Sequence, residues 1–211
     1  MIDSVKQAVT GGKIKLIQGV VQEALDGGAT AGEILDTMSD AMDEVGAKFQ
    51  NGEIFVPEML VAAKTMQRGV GVLKPMLGGE EGAKYGKFVI GTVAGDLHDI
   101  GKNLVAMMVE SAGFEVVDLG VDVPAEKFVE AIQANPDCHV VGVSALLTTT
   151  MDAMRKTVQA IIDAGLKDQV KIMVGGAPIT QAFADEIGAD AYTTDAGSAA
   201  EKAKELAAAE A

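Results

Sequence analysis

The run Phe88-Val89-Ile90-Gly91-Thr92-Val93-Ala94 leads into Gly95-Asp96-Leu97-His98-Asp99-Ile100-Gly101, and Lys102-Asn103-Leu104-Val105-Ala106-Met107-Met108-Val109 follows. The first part is apolar and β-branched, as a buried strand requires. The last part carries the spacing of an amphipathic helix. One imidazole therefore sits on a strand-to-helix turn, two residues after an acid, with glycines on both sides. In open α/β sheets, ligands bind at such turns, beyond the carboxyl ends of the strands.

Downstream, strands and helices alternate. Strands are predicted at 88–94, 115–119, 139–144, 170–175 and 190–193, with helices near 101–112, 125–134, 150–165, 180–187 and 197–210. Five such units give an α/β domain over 88–211, a Rossmann-like (flavodoxin-like) five-stranded parallel sheet covered on both faces. With strand order 2-1-3-4-5, the first and third strands are neighbours at the switch point.

Upstream, residues 1–77 read as a helical bundle. Ile17, Val20, Val21 and Ala24 share one face, and Asp26-Gly27-Gly28 stops that helix. Thr30 with Glu33 forms a capping-box pattern. Leu35, Met38, Met42, Val45 and Phe49 then line the next helix. Asn51-Gly52 turns the chain, and Pro57 opens a helix whose inner face carries Met59, Ala62, Ala63, Met66, Val70 and Leu73. The stretch 78–87, rich in glycine and without periodicity, is expected to be a linker.

Composition narrows the function classes. The net charge of −14 excludes a phosphate-neutralising nucleic-acid surface and an anionic membrane as partners. No apolar run approaches the ~20 residues of a membrane span. The N-terminus lacks the basic and apolar regions of a signal peptide, and the single Cys138 cannot form an intrachain disulfide. Both features suit the cytoplasm.

The chemistry available at the strand ends centres on His98. A neutral imidazole is a good transition-metal ligand, and better when its other nitrogen donates to a carboxylate such as Asp96. A surface salt bridge is the plainer reading of the same residues. A zinc-type site needs at least three protein ligands, yet Cys138 and His139 lie at the opposite end of a strand. A metal at His98 would have to bring most of its ligands with it, as in a macrocycle. The third strand runs into Ser144-Ala145-Leu146-Leu147-Thr148-Thr149-Thr150 and the fourth into Gly175-Gly176, so both loops are expected to face the His98 crevice.

Taken together, Gly-Asp-x-His-Asp-x-Gly-Lys-Asn, then Ser-x-Leu with a Thr two residues later, then Gly-Gly, resembles the cobalamin-binding module. The whole chain resembles the small corrinoid proteins of methyltransferase systems, related to the cobalamin-binding part of methionine synthase. The resemblance implies that His98 binds cobalt from below in place of the cofactor's own base, that Asp96 accepts the other ring proton, and that Thr150 extends this relay. It implies further cofactor contacts from Gly95, Leu97, Asp99, Ile100 and Gly101. The nucleotide tail would run past Ser144, Leu146, Thr148, Gly175 and Gly176, with Ala196 at its end. In the bundle, Phe55 and Met59 would shield the methyl group, and the linker would let the bundle move aside.

The function so implied is that of a cytoplasmic corrinoid methyl carrier, not catalytic without partners. Those partners are a donor-specific methyltransferase and a second methyltransferase acting on tetrahydrofolate or coenzyme M, with an ATP-dependent reductive activator as a further candidate. Methylamines, methanol, methoxylated aromatics and betaines all stand as donors. Alternatives are a receiver-like signalling domain phosphorylated on Asp96 or Asp99, and a cobalamin-binding sensor or mutase subunit.

Overall fold

The computed structural model describes residues 2–73, 75–76 and 84–208. The chain divides into two compact units. One comprises Met1–Lys84 with Ser111–Gly113, the other Tyr85–Glu110 with Phe114–Ala211.

The first unit is built from helices α1 (Ile2–Thr10), α2 (Ile17–Asp26), α3 (Ala31–Gln50) and α4 (Val56–Leu73). The capping box forms as its sequence requires. The Glu33 N–H donates to Thr30 Oγ1 at 3.2 Å, and the Thr30 N–H donates to Glu33 Oε2 at 2.8 Å, satisfying two of the donors that a helix start leaves orphaned. The buried stripe of α3 is Ile34, Met38, Ala41, Met42 and Val45. Leu35 and Phe49, expected in it, are half-buried. Ile34 holds the i, i+4, i+7 spacing to Met38 and Ala41, which leaves Leu35 about 100° off the centre of that stripe. Gly69 lets α4 pack closely, since a Cβ there would meet Met38 Cε at 2.6 Å and Ile17 Cγ1 at 2.9 Å.

The second unit alternates strands and helices: β1 (Lys87–Thr92), α5 (Ile100–Ser111), β2 (Glu115–Asp118), α6 (Ala125–Ala134), β3 (Cys138–Ser144), α7 (Met151–Asp163), β4 (Lys171–Gly175), α8 (Gln181–Ile187), β5 (Ala191–Tyr192) and α9 (Ala196–Ala208). The order is β2-β1-β3-β4-β5 and every pair is parallel, as expected. Val89, Val141, Val143, Ile172 and Val174 share one core with Phe128, Ile132, Met154, Val158, Ile161 and Phe183 from α6, α7 and α8.

Lys87, expected in the linker, is instead the first residue of β1, paired with Glu115 and Cys138. Tyr85 is also fixed, its ring 5.3 Å from that of Phe114. Gly86 is left-handed at φ 73°, and a Cβ there would lie 2.5 Å from the Asp137 carbonyl. Residues 78–83 of the expected linker lie outside the described residues.

Candidate functional site

Register places the site. Thr92 pairs with Ser144, and Ser144 with Gly175. Three strands thus end in one row, and their loops emerge side by side at the carboxyl edge. The β1–α5 loop carries His98. The β3–α7 loop carries Leu146 to Thr150, and Gly175-Gly176 ends β4.

Asp96 is the hub. Its side chain has 0% exposure. Oδ1 accepts from His98 Nδ1 at 2.7 Å and from the His98 N–H at 3.1 Å. Oδ2 accepts from the Leu146 N–H at 2.7 Å and from Thr150 Oγ1 at 2.8 Å, with the Leu147 N–H at 3.4 Å. Burial by itself would raise the pKa of this carboxyl. The Leu146 N–H, the ring and N–H of His98 and the Thr150 hydroxyl overcome it, and hold the group well below the usual carboxylate range. Asp96 is therefore ionised and can only accept hydrogen bonds.

In the neutral imidazole, Nδ1 then carries the ring proton and Nε2 presents its lone pair. Among the described residues nothing engages Nε2, and the His98 side chain is 49% exposed. This is a single pre-oriented nitrogen donor. No group of three or more His, Cys, Asp or Glu able to hold a metal occurs among the described residues. A metal here has to carry its other ligands.

The surroundings suit a broad, partly apolar ring. Leu97 is 73% and Ile100 77% exposed, and Leu146 and Leu147 are exposed too. Among the described residues, these four are the exposed large hydrophobics of the second unit, and they lie on the two loops beside His98 or, for Ile100, at the first residue of α5. Burying such side chains is favourable only when a ligand or partner covers them. Gly101 is compatible with such a ring. It sits in the first turn of α5, where glycine is unfavourable, and a Cβ there would meet nothing within 4 Å. The space beside Gly101 is open, as a ligand lying close to the backbone would need.

The glycine pair separates into two roles. Gly176 has φ 132°, and a Cβ would fall 1.8 Å from the Ala145 carbonyl oxygen, so the backbone itself requires glycine. At Gly175 a Cβ would meet only the Thr193 carbonyl, at 3.8 Å, which leaves room beside β4. Ser144 is half-buried and Thr148 exposed, both at the mouth of this row. Ala196 opens α9, whose start is capped by Asp195 through the Ser198 N–H at 2.9 Å.

Phe55 and Met59 belong to the first unit. Phe55 precedes α4, its N–H donating to Glu58 Oε2 at 2.9 Å, and its ring is exposed. Met59 is buried. Three residues that sequence reasoning passed over also hold the site. The Thr92 hydroxyl donates to the His98 carbonyl at 2.9 Å. Asp122 accepts from the Gly95 N–H at 2.7 Å. Lys102, buried in α5, reaches Asp118 Oδ2 at 2.5 Å and Asn103 Oδ1 at 2.6 Å, fixing the helix that leaves the loop. Lys102 was legible as part of Gly-Lys-Asn. The other two gave no local signal.

The B12 binding domain family matches residues 86–203, and a second B12 binding domain family matches residues 1–74. The chain belongs to the B12-binding corrinoid proteins. It is 44% identical over 209 residues to the dimethylamine corrinoid protein of Methanosarcina barkeri, covering 98% of this chain and 97% of that one. A cobalamin-binding protein from Desulfitobacterium hafniense DCB-2 superposes with a TM-score of 0.82 at 33% identity, covering 98% of both chains. The methanol:cobalamin methyltransferase complex of Methanosarcina barkeri has a chain matching with a TM-score of 0.85 at 28% identity, over 98% of this chain and 79% of that one. The cofactor of this corrinoid protein is thus a corrinoid of the cobalamin type, and the residues around His98 fit it: one free imidazole nitrogen, an apolar surround and a vacant Cβ position. A receiver-like role for Asp96 does not fit, since a phosphoacceptor must meet solvent and this carboxylate does not. Among the described residues no helix is long and apolar enough to cross a membrane.

Proposed function

We propose that this corrinoid protein is a methyl carrier that binds its cofactor with His98 in place of the cofactor's own base. The observation that carries the reading is the His98 ring, with Nδ1 tied to a buried ionised Asp96 and Nε2 open between exposed apolar loops. When bound, the cobalt supplies a metal nucleophile able to accept a methyl group from one substrate and yield it to another. The protein's part is to hold and orient. His98 would contribute Nε2, the atom that either coordinates or takes a proton. Asp96 would keep the proton on Nδ1, and Thr150 would keep Asp96 in place. Leu97, Ile100 and Gly101 would lie against the ring, with Gly95 and Asp99 completing the loop. Ser144, Leu146, Thr148 and Gly175 would line the path of the nucleotide tail, with Gly176 shaping it and Ala196 near its end.

In the bundle, Phe55 and Met59 are our candidates for shielding the methyl group. Phe55 offers an exposed ring. Met59 would have to rotate out of the α4 packing to take part.

The relatives named for dimethylamine make a methylated amine the donor class we favour. The partners would be an amine-specific methyltransferase and a second methyltransferase passing the group to a thiol such as coenzyme M or to tetrahydrofolate, with an ATP-dependent reductive activator restoring the cofactor. All would act in the cytoplasm.

The test is the visible spectrum of purified protein loaded with hydroxo- or methylcobalamin, for wild type and His98→Ala. Stoichiometric uptake is expected, with a histidine-ligated spectrum in wild type and a water-ligated one in the variant. Identical spectra would remove His98 as the ligand, and no uptake by wild type would remove the carrier reading.

A further inference from the structure

Asp122 lies on the loop between β2 and α6, far in sequence from the His98 turn. Its φ of 54° is the one left-handed backbone angle outside glycine among the described residues. Aspartate tolerates this region better than most residues because its short side chain can bond nearby backbone. Here its polar groups go to the β1–α5 loop instead. Its Oδ1 accepts the Gly95 N–H at 2.7 Å, and its own N–H donates to the Asp96 carbonyl at 2.9 Å. A single residue thus holds the main chain of both residues that open the loop. The next residue continues the attachment, since the Val123 N–H donates to the Thr92 carbonyl at 2.9 Å, and Val93 and Val123 form a parallel bridge. At the far end of the loop the Thr92 hydroxyl holds the His98 carbonyl.

We infer that Asp122 is a positioning residue for His98. It fixes the backbone from which the Asp96 carboxylate reaches Nδ1, and through that carboxylate decides which imidazole nitrogen is left open. The consequence for cobalt rests on the proposed function above. The positioning itself is testable in protein that carries no corrinoid.

The decisive variants are Asp122→Gly and Asp122→Asn. Glycine adopts φ 54° without strain, so it removes the carboxylate and adds no steric penalty. Asparagine keeps an acceptor for Gly95 and suits the left-handed region. Circular dichroism checks folding, with Asp122→Ala as the second variant should the glycine form be too loose to fold. The first readout is the ¹⁵N spectrum of the neutral His98 imidazole without cofactor, assigned against His98→Ala. Wild type and Asp122→Asn should hold the proton on Nδ1, whereas Asp122→Gly should populate both tautomers. The second is the visible spectrum of cobalamin-loaded protein. Asp122→Gly should raise the ratio of water-ligated to histidine-ligated cofactor about tenfold, as expected for losing one hydrogen bond to a charged acceptor, and Asp122→Asn should restore the wild-type ratio. A folded Asp122→Gly with the wild-type tautomer and spectrum would overturn the inference. So would a shift that Asp122→Asn fails to rescue. The His98→Ala control separates the two claims: if it leaves the loaded spectrum unchanged, cobalt ligation is overturned, and the tautomer alone then decides on Asp122.

Discussion

His98 Nδ1 lies 2.7 Å from Oδ1 of Asp96, a carboxylate wholly removed from solvent. Every other donor around Asp96 comes from the protein: two backbone N–H groups of the β3–α7 loop, the Thr150 hydroxyl and the His98 N–H. Such a carboxylate stays ionised and fixes its neighbour's tautomer. One nitrogen of a half-exposed ring, unpartnered among the described residues, is the product of that arrangement.

Replacing Asp96 by Asn should cost about 2–4 kcal/mol at neutral pH, because an amide cannot accept from all these donors and leaves some buried and unpaired. The sign with pH follows from the depressed pKa. Folding favours the ionised carboxyl, so its contribution is complete above the unfolded value of about 3.9 and is lost as pH falls below it. Denaturant titrations of wild type and Asp96→Asn should therefore show a gap that is constant near neutrality and narrows below about pH 4. A gap that stays constant into acid would contradict the assignment.

The glycines of the site should behave oppositely when changed to alanine. Gly101→Ala meets no protein atom, and should stabilise the cofactor-free protein by about 0.5–1 kcal/mol through helix propensity while weakening cobalamin uptake. Gly176→Ala meets the Ala145 carbonyl at 1.8 Å, and should destabilise the fold by about 3 kcal/mol or more. Thermal unfolding with and without cobalamin separates the two. Tight cobalamin binding by Gly101→Ala would mean that the ring does not approach α5.

Cys138 begins β3 at the edge of the sheet opposite the site and is buried. Burial is the main influence on its thiol, whose pKa is pushed up to about 11. Near pH 8 only about one molecule in a thousand holds a thiolate. Iodoacetamide should label the native protein far more slowly than protein unfolded in guanidinium chloride. The stability this thiol lends is complete below its unfolded value of about 8.5 and declines as pH climbs toward 11. Equal labelling rates would show that β3 opens at its start.

The alternating pattern from Phe88 onward was enough to read a parallel sheet, because parallel strands buried on both faces leave apolar runs that only crossover helices can separate, whereas the strand order 2-1-3-4-5 entered only as that of a flavodoxin-like fold. Asp96 and His98 were legible as neighbours on one loop, and Thr150 through the resemblance. Asp122 and Thr92 were not. Their bonds to Gly95 and to the His98 carbonyl depend on how β2 registers against β1 and on a left-handed angle at Asp122, neither of which leaves a periodic trace. Leu97, Ile100 and Leu146 entered as site residues only through the resemblance and Leu147 not at all, since nothing but their exposure in the folded chain sets them apart from ordinary apolar residues. In the bundle, Leu35 and Ile34 are adjacent and similar, so which one enters the core is decided by packing against neighbouring helices. The expected linker was cut short because Tyr85 and Lys87 find partners in Phe114, Glu115 and Cys138, all distant along the chain.

The central claim, that His98 is the protein nitrogen on cobalt, is tested most directly by electron paramagnetic resonance of the cob(II)alamin-loaded protein grown with ¹⁵N-labelled histidine. The axial nitrogen splits each cobalt line as a triplet when it is ¹⁴N and as a doublet when it is ¹⁵N. The account predicts doublets in labelled wild type, triplets in unlabelled protein, and no histidine splitting in His98→Ala. Triplets persisting in the labelled protein would show that the cofactor keeps its own base, and would contradict the role assigned to His98.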